Sequence, residues 1–180
     1  EPLVHIKSGL KALSYSAKEI DNIIGSSVFK CWELTNIPFQ PEYPGDRKWN
    51  RDAAQFKVAP ETSKETLTFP TWTTVLEHSG SGLDSAVKEH GWCKAVGIKT
   101  GGEYLMCWIA NMFQRPFEPC PYIALYGLQD SGKSILHEAI SLLMTKGVAR
   151  ADTALTSPGN FNGELENAVL CIVEETDLKR

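Results

Sequence analysis

The chain has 180 residues, 42% of them hydrophobic, and a formal net charge of −4, enough to bury one good core with a smaller helical appendage. With a pI near 5.6, a surface that holds nucleic acid through bulk positive charge is excluded, so any such contact must be local. The five cysteines, at 31, 93, 107, 120 and 171, never form C-x-x-C, which argues against a disulfide framework or zinc site and for a reducing compartment.

His90 and Cys93 make a lone H-x-x-C that falls short of the four ligands a structural metal site needs. No apolar run of about 18 residues and no signal peptide is visible, so a soluble protein without a membrane span is expected. Glu1 opens the chain, and Thr176 to Arg180 follow an apolar run with no closing element. Both ends read as cut from a longer protein.

In chain order, Ser16 and Glu19 have the spacing of a capping box, with Ile20, Ile23, Ile24 and Val28 at helical intervals behind them. The spacing predicts a helix over 17–29. Cys31 to Leu34 suits either a continuation or a strand. Pro38, Pro41, Pro44 and Pro60 then break regular structure, so 37–64 reads as a linker or long tethered loop. Within it Trp49 stands among Arg47, Lys48 and Arg51, a combination that could stack on and grip a single strand. Asp46 and Asp52 dilute that charge, and the favoured reading is a tryptophan that pins the loop to the helical domain, its basic neighbours solvated.

Helical spacing returns with Trp72, Val75 and Leu76, and again with Leu83, Ala86 and Val87, where Ser81 or Asp84 would cap the second helix. Tyr104, Leu105, Trp108, Ile109 and Met112 fall on one face of a helix over 103–114, read as core. Pro116, Pro119 and Pro121 end it.

Tyr122 to Tyr126 is a continuous apolar run, suited to a parallel strand buried on both faces. It opens into Gly127-Leu128-Gln129-Asp130-Ser131-Gly132-Lys133-Ser134, the spacing of a P-loop. Gly127 permits a sharp turn and Gly132 a close approach to phosphate. Lys133 would reach the β- and γ-phosphates of ATP, and the Ser134 hydroxyl would sit on Mg²⁺. Asp130 should face away from the phosphates. A helix over 133–145 follows, with Gly147 as its expected left-handed cap.

A short strand is expected near 148–151, and Ala168 to Val173 forms an apolar strand ending in Glu174 and Glu175. In this Walker B form, Glu174 would hold the metal and Glu175 polarise the attacking water. The division that emerges is an N-terminal helix and proline-rich region over 1–65, a helical bundle over 66–118, and the first half of a P-loop core over 119–180. The fold class is α/β: a partial parallel sheet flanked by helices and preceded by a helical domain.

Trp108-Ile109-Ala110-Asn111-Met112-Phe113-Gln114-Arg115-Pro116, the P-loop, and Phe161-Asn162-Gly163-Glu164-Leu165 ahead of the acidic strand together resemble the superfamily 3 helicase domain of phage, plasmid and poxvirus-type primase-helicases. The resemblance spans residues 70–180. It implies an AAA+-like ATPase that assembles as a ring, usually a hexamer, and moves on single-stranded or forked DNA. It further implies a primase domain N-terminal in cis, and a cytoplasmic setting in a bacterial or phage-infected cell. The pore hairpin, sensor and arginine finger of that family come after the second motif, so weak nucleotide binding and no strand separation are expected of these residues alone. Another P-loop ATPase, such as a mobile-element loader, and a non-enzymatic helical docking module are the competing readings.

Overall fold

The computed structural model describes residues 2–25, 32–59, 68–151 and 163–174. The chain divides into two compact units, one of Glu1–Asn36 with Gln40–Arg51, the other of Ile37–Phe39 with Asp52–Arg180. Helices dominate, with small strands between them, a mixed α/β composition. Among the described residues no helix is long and apolar enough to cross a membrane.

In the first unit, α1 (Pro2–Ala12) and α2 (Ala17–Gly25) pack through a short turn. The capping box forms as its spacing requires: the Ser16 hydroxyl and amide donate to the Glu19 carboxylate at 2.6 and 2.9 Å, and the Glu19 amide donates to Ser16 Oγ at 3.3 Å. Ile20 and Ile24 turn inward behind it. The rest of the expected helix, 26–29, lies outside the described residues.

The Ser16 hydroxyl, then its amide, hold the Glu19 carboxyl below the usual glutamate range. Because the folded pKa is depressed, the cap stabilises α2 above the ordinary glutamate range, and this is lost as pH falls through the lowered value. In Ser16→Ala the Glu19 titration, followed by NMR, should return toward the ordinary range. An unchanged titration would contradict the cap.

Strands β1 (Glu33–Leu34) and β2 (Lys48–Trp49) pair in parallel in the same unit. The Trp49 indole donates to Glu42 Oε1 at 3.0 Å and lies under the Arg51 guanidinium, 5.1 Å from the ring centroid. Trp49 therefore braces its own loop through these contacts, where a tie to the helical domain was expected. Asn50, fully buried, donates to the Gln40 carbonyl and ties the loop back on itself.

In the second unit the proline-rich stretch is more structured than a linker. Strand β3 (Gln55–Phe56) pairs antiparallel with β4 (Met144–Lys146). Phe39 and Phe56 stack at 4.5 Å and both meet Phe113 edge-on. Prolines stopped helix and strand from propagating, but two well-placed rings still packed against Phe113 of α6.

Helices α3 (Pro70–Gly80), α4 (Asp84–Glu89) and α5 (Gly91–Val96) lead to α6 (Gly101–Gln114). A capping box starts α6: the Thr100 side chain accepts from the Glu103 amide, and the Glu103 carboxylate accepts from the Thr100 amide. Asp84, expected to cap its own helix, instead accepts from the Gly101 amide at 2.7 Å. Its carboxylate thus satisfies an orphan donor at the start of α6.

The apolar face of α6 supplies Leu105, Ile109 and Met112 to a core completed by Leu76 of α3, by Leu136 and Ile140 of α7 (Ile135–Leu142), and by Leu170 and Ile172 of β6 (Leu170–Ile172). Each fully buried leucine or isoleucine contributes about 1.5–3 kcal/mol. Strand β5 (Val148–Arg150) pairs in parallel with β6, Val148 against Leu170 and Arg150 against Ile172.

Two expectations for this region require correction. The helix after the loop spans Ile135–Leu142, not 133–145; Met144–Lys146 is strand β4, and Gly147 at φ +100° turns between β4 and β5 and does not cap a helix. Tyr122 to Tyr126 joins no ladder among the described residues. Within it Ile123 and Leu125 pack on the core while Tyr122 and Tyr126 are 93% and 96% exposed. It has the period-two alternation of a strand, but it is not buried on both faces. Its entry is fixed by α6: the Trp108 indole donates to the Pro121 carbonyl at 2.7 Å.

Candidate nucleotide site

The loop from Gly127 to Ser134 folds back on itself. Ser131 N–H donates to the Leu128 carbonyl at 3.3 Å, and Ile135 N–H to the Gly132 carbonyl at 3.1 Å as α7 begins. Asp130 and Gly132 both take left-handed backbone, at φ +59° and +78°. Aspartate tolerates this region better than most side chains, and glycine adopts it freely. Asp130 is exposed, as a carboxylate beside a phosphate site would have to be.

Lys133 closes the loop. Its ammonium donates to the Leu128 carbonyl at 2.7 Å and to the Gly127 carbonyl at 3.3 Å, bracing the first turn against the last. Among the described residues, the amides of Gly132, Lys133 and Ser134 take no hydrogen-bond partner. Three such donors in a row at a helix start, one after a left-handed residue, suit an anion.

Glu174 reaches this region from the end of β6. One carboxylate oxygen is 2.9 Å from His137 Nε2 and the other 3.3 Å from the Arg150 guanidinium. His137 stands on α7 one turn after Ser134, and Arg150 ends β5 opposite Ile172. Helix and strand therefore converge on the acid from two sides. Lys133, Ser134, His137 and Glu174 line one cleft of about 1150 Å³, whose walls also include Ile123, Leu125 and Val173. Glu175, the expected water-orienting acid, lies outside the described residues, as do Phe161 and Asn162.

The sequence reading missed His137, Arg150 and His78, whose Nε2 is 2.9 Å from the Ser131 carbonyl oxygen. His137 was findable, because residues three apart share a helix face. Arg150 required the β5–β6 register, and His78 has no local signal at all.

Among the described residues no three His, Cys, Asp or Glu side chains are grouped to hold a metal by themselves. A Mg²⁺ ion that rides on phosphates needs only one or two protein oxygens, and Ser134 and Glu174 line the same cleft. Another cleft, of about 740 Å³, lies among α4, α5 and α6 with apolar walls such as Val87, Trp92 and Val96. It contains none of Lys133, Ser134, His137 and Glu174, so the cleft lined by those four is the candidate site.

Comparison with protein-family models, with curated proteins and with solved structures returns no match to this chain.

Proposed function

We propose that the chain is the nucleotide-binding part of an ATP-driven DNA helicase of the superfamily 3 type. The observation that carries this reading is the shared cleft of Lys133, Ser134 and Glu174. A phosphate entering there would displace two neutral carbonyls from the Lys133 ammonium, and an anionic oxygen is the stronger acceptor. The amides of Gly132 to Ser134 would take the same phosphate. Ser134 and Glu174 would hold Mg²⁺, which would neutralise phosphate charge.

His137 and Arg150 hold the Glu174 carboxylate in place on the α7 side of the cleft. Glu175 follows directly and is the proposed residue that orients the attacking water. Single-stranded or forked DNA as track, assembly into the hexameric ring usual in that family, a primase domain in cis and a cytoplasmic setting rest on the resemblance carried by Trp108 to Pro116, the loop and the paired acids.

ATP affinity measured with and without Mg²⁺ tests the site. Ser134→Ala should remove most of the gain that Mg²⁺ confers, about tenfold or 1.4 kcal/mol, and leave Mg²⁺-free binding unchanged. A variant with the full Mg²⁺-dependent gain would contradict the role given to Ser134.

A further inference from the structure

The phosphate loop is held from outside by one side chain that the motif does not contain. His78, near the end of α3, brings Nε2 to 2.9 Å from the Ser131 carbonyl oxygen. The same nitrogen lies 3.3 Å from where a Cβ on Gly132 would stand. A carbonyl only accepts, so Nε2 must carry the proton and donate.

We infer that His78 is a positioning residue for the phosphate loop, presetting the Gly132 amide by holding the Ser131 carbonyl. The inference rests on the ATP-binding reading. A trans peptide is planar, so its C=O and the next N–H point in opposite directions. Pinning the Ser131 carbonyl toward α3 therefore aims the Gly132 N–H away from α3.

That amide begins the run of donors without partners, because the Ser131 amide is already engaged with Leu128. Gly132, at φ +78°, has the backbone freedom of glycine, and without an external tie the 131–132 peptide could rotate. Fixing it beforehand removes an ordering cost that phosphate binding would otherwise carry. Helix α3 is itself anchored, with Leu76 and Gly80 buried against α6. The donor is thus delivered from a rigid element.

Three variants separate positioning from packing. His78→Phe keeps a ring and removes the donor, His78→Ala removes both, and His78→Gln keeps an N–H at comparable reach. ATP binding by the 180-residue chain should weaken about tenfold in His78→Phe and His78→Ala, and recover to within about threefold of wild type in His78→Gln. In the nucleotide-free chain, the Gly132 amide resonance should move in His78→Phe and return toward its original position in His78→Gln.

Wild-type affinity in His78→Phe, or an unmoved Gly132 resonance, overturns the assignment while leaving the nucleotide site intact. A wild-type chain that binds no ATP overturns the site itself, and the His78 role with it.

Discussion

Lys133→Ala will abolish ATP binding detectable by calorimetry at millimolar nucleotide, while the melting temperature of the chain stays where it was. Lys133 is the only basic residue between Gly127 and Ser134, so its removal takes the one fixed positive charge from the loop. Charge-assisted hydrogen bonds are about twice as strong as neutral ones, and truncating one partner of a close charge pair costs about 2–5 kcal/mol of binding. On a site already expected to be weak, a hundredfold loss amounts to no binding.

The substitution also deletes the brace to the Gly127 and Leu128 carbonyls, at 3.3 and 2.7 Å, so the loop loses its closed form before any nucleotide arrives. Stability should not follow, because Lys133 lies outside the apolar cluster. Retained ATP binding would remove the chemical basis of the site.

Gly101→Ala should cost about 3 kcal/mol or more in urea unfolding. Helices α3 and α6 make the most extensive contact between elements in the second unit, and they cross where Gly80 meets Gly101 and Gly102. A Cβ on Gly101 would run into the Gly80 carbonyl, and one on Gly102 would stand 3.0 Å from Glu77 Cα. These are backbone atoms, which cannot rotate aside.

Overpacking a core costs about 1–3 kcal/mol where side chains can adjust. Here the helices must separate, uncovering Leu76 and Leu105 and straining the Gly101 to Asp84 hydrogen bond. Against a total stability of about 5–15 kcal/mol, that is a large share, and it should read directly as an earlier urea midpoint. Gly82, with open space around it, is the control: Gly82→Ala should change stability by less than about 0.5 kcal/mol. Equal stability of the two variants would mean that the helices do not meet through these glycines.

The sequence was most legible where the physics is local. The Ser16–Glu19 cap and the apolar face of α6 each depend on residues within a turn or two of one another, and each formed near its expected place. Strands β5 and β6 were also visible as short apolar runs.

What the pattern could not supply was pairing between distant segments. Tyr122 to Tyr126 has the composition of a buried strand, yet a strand needs a neighbour to accept its hydrogen bonds, and the run itself does not specify one. The opposite error occurred at Phe39 and Phe56, where prolines suggested a loop and long-range aromatic packing drew the segment into the core. Motif spacing named Lys133, Ser134 and Glu174, and these three line one cleft. The partners that orient them, His78 and Arg150, come from elements whose proximity only the folded chain defines.

The central claim is that the loop and the acid after β6 together receive a phosphate. A map of backbone amide resonances during titration of the chain with ATP and Mg²⁺ tests it most directly. The account predicts the largest shifts at Gly132, Lys133 and Ser134, accompanied by His137 and Glu174, with the apolar groove around Val87 and Trp92 unmoved. Shifts confined to that groove, or none at millimolar nucleotide, would contradict it.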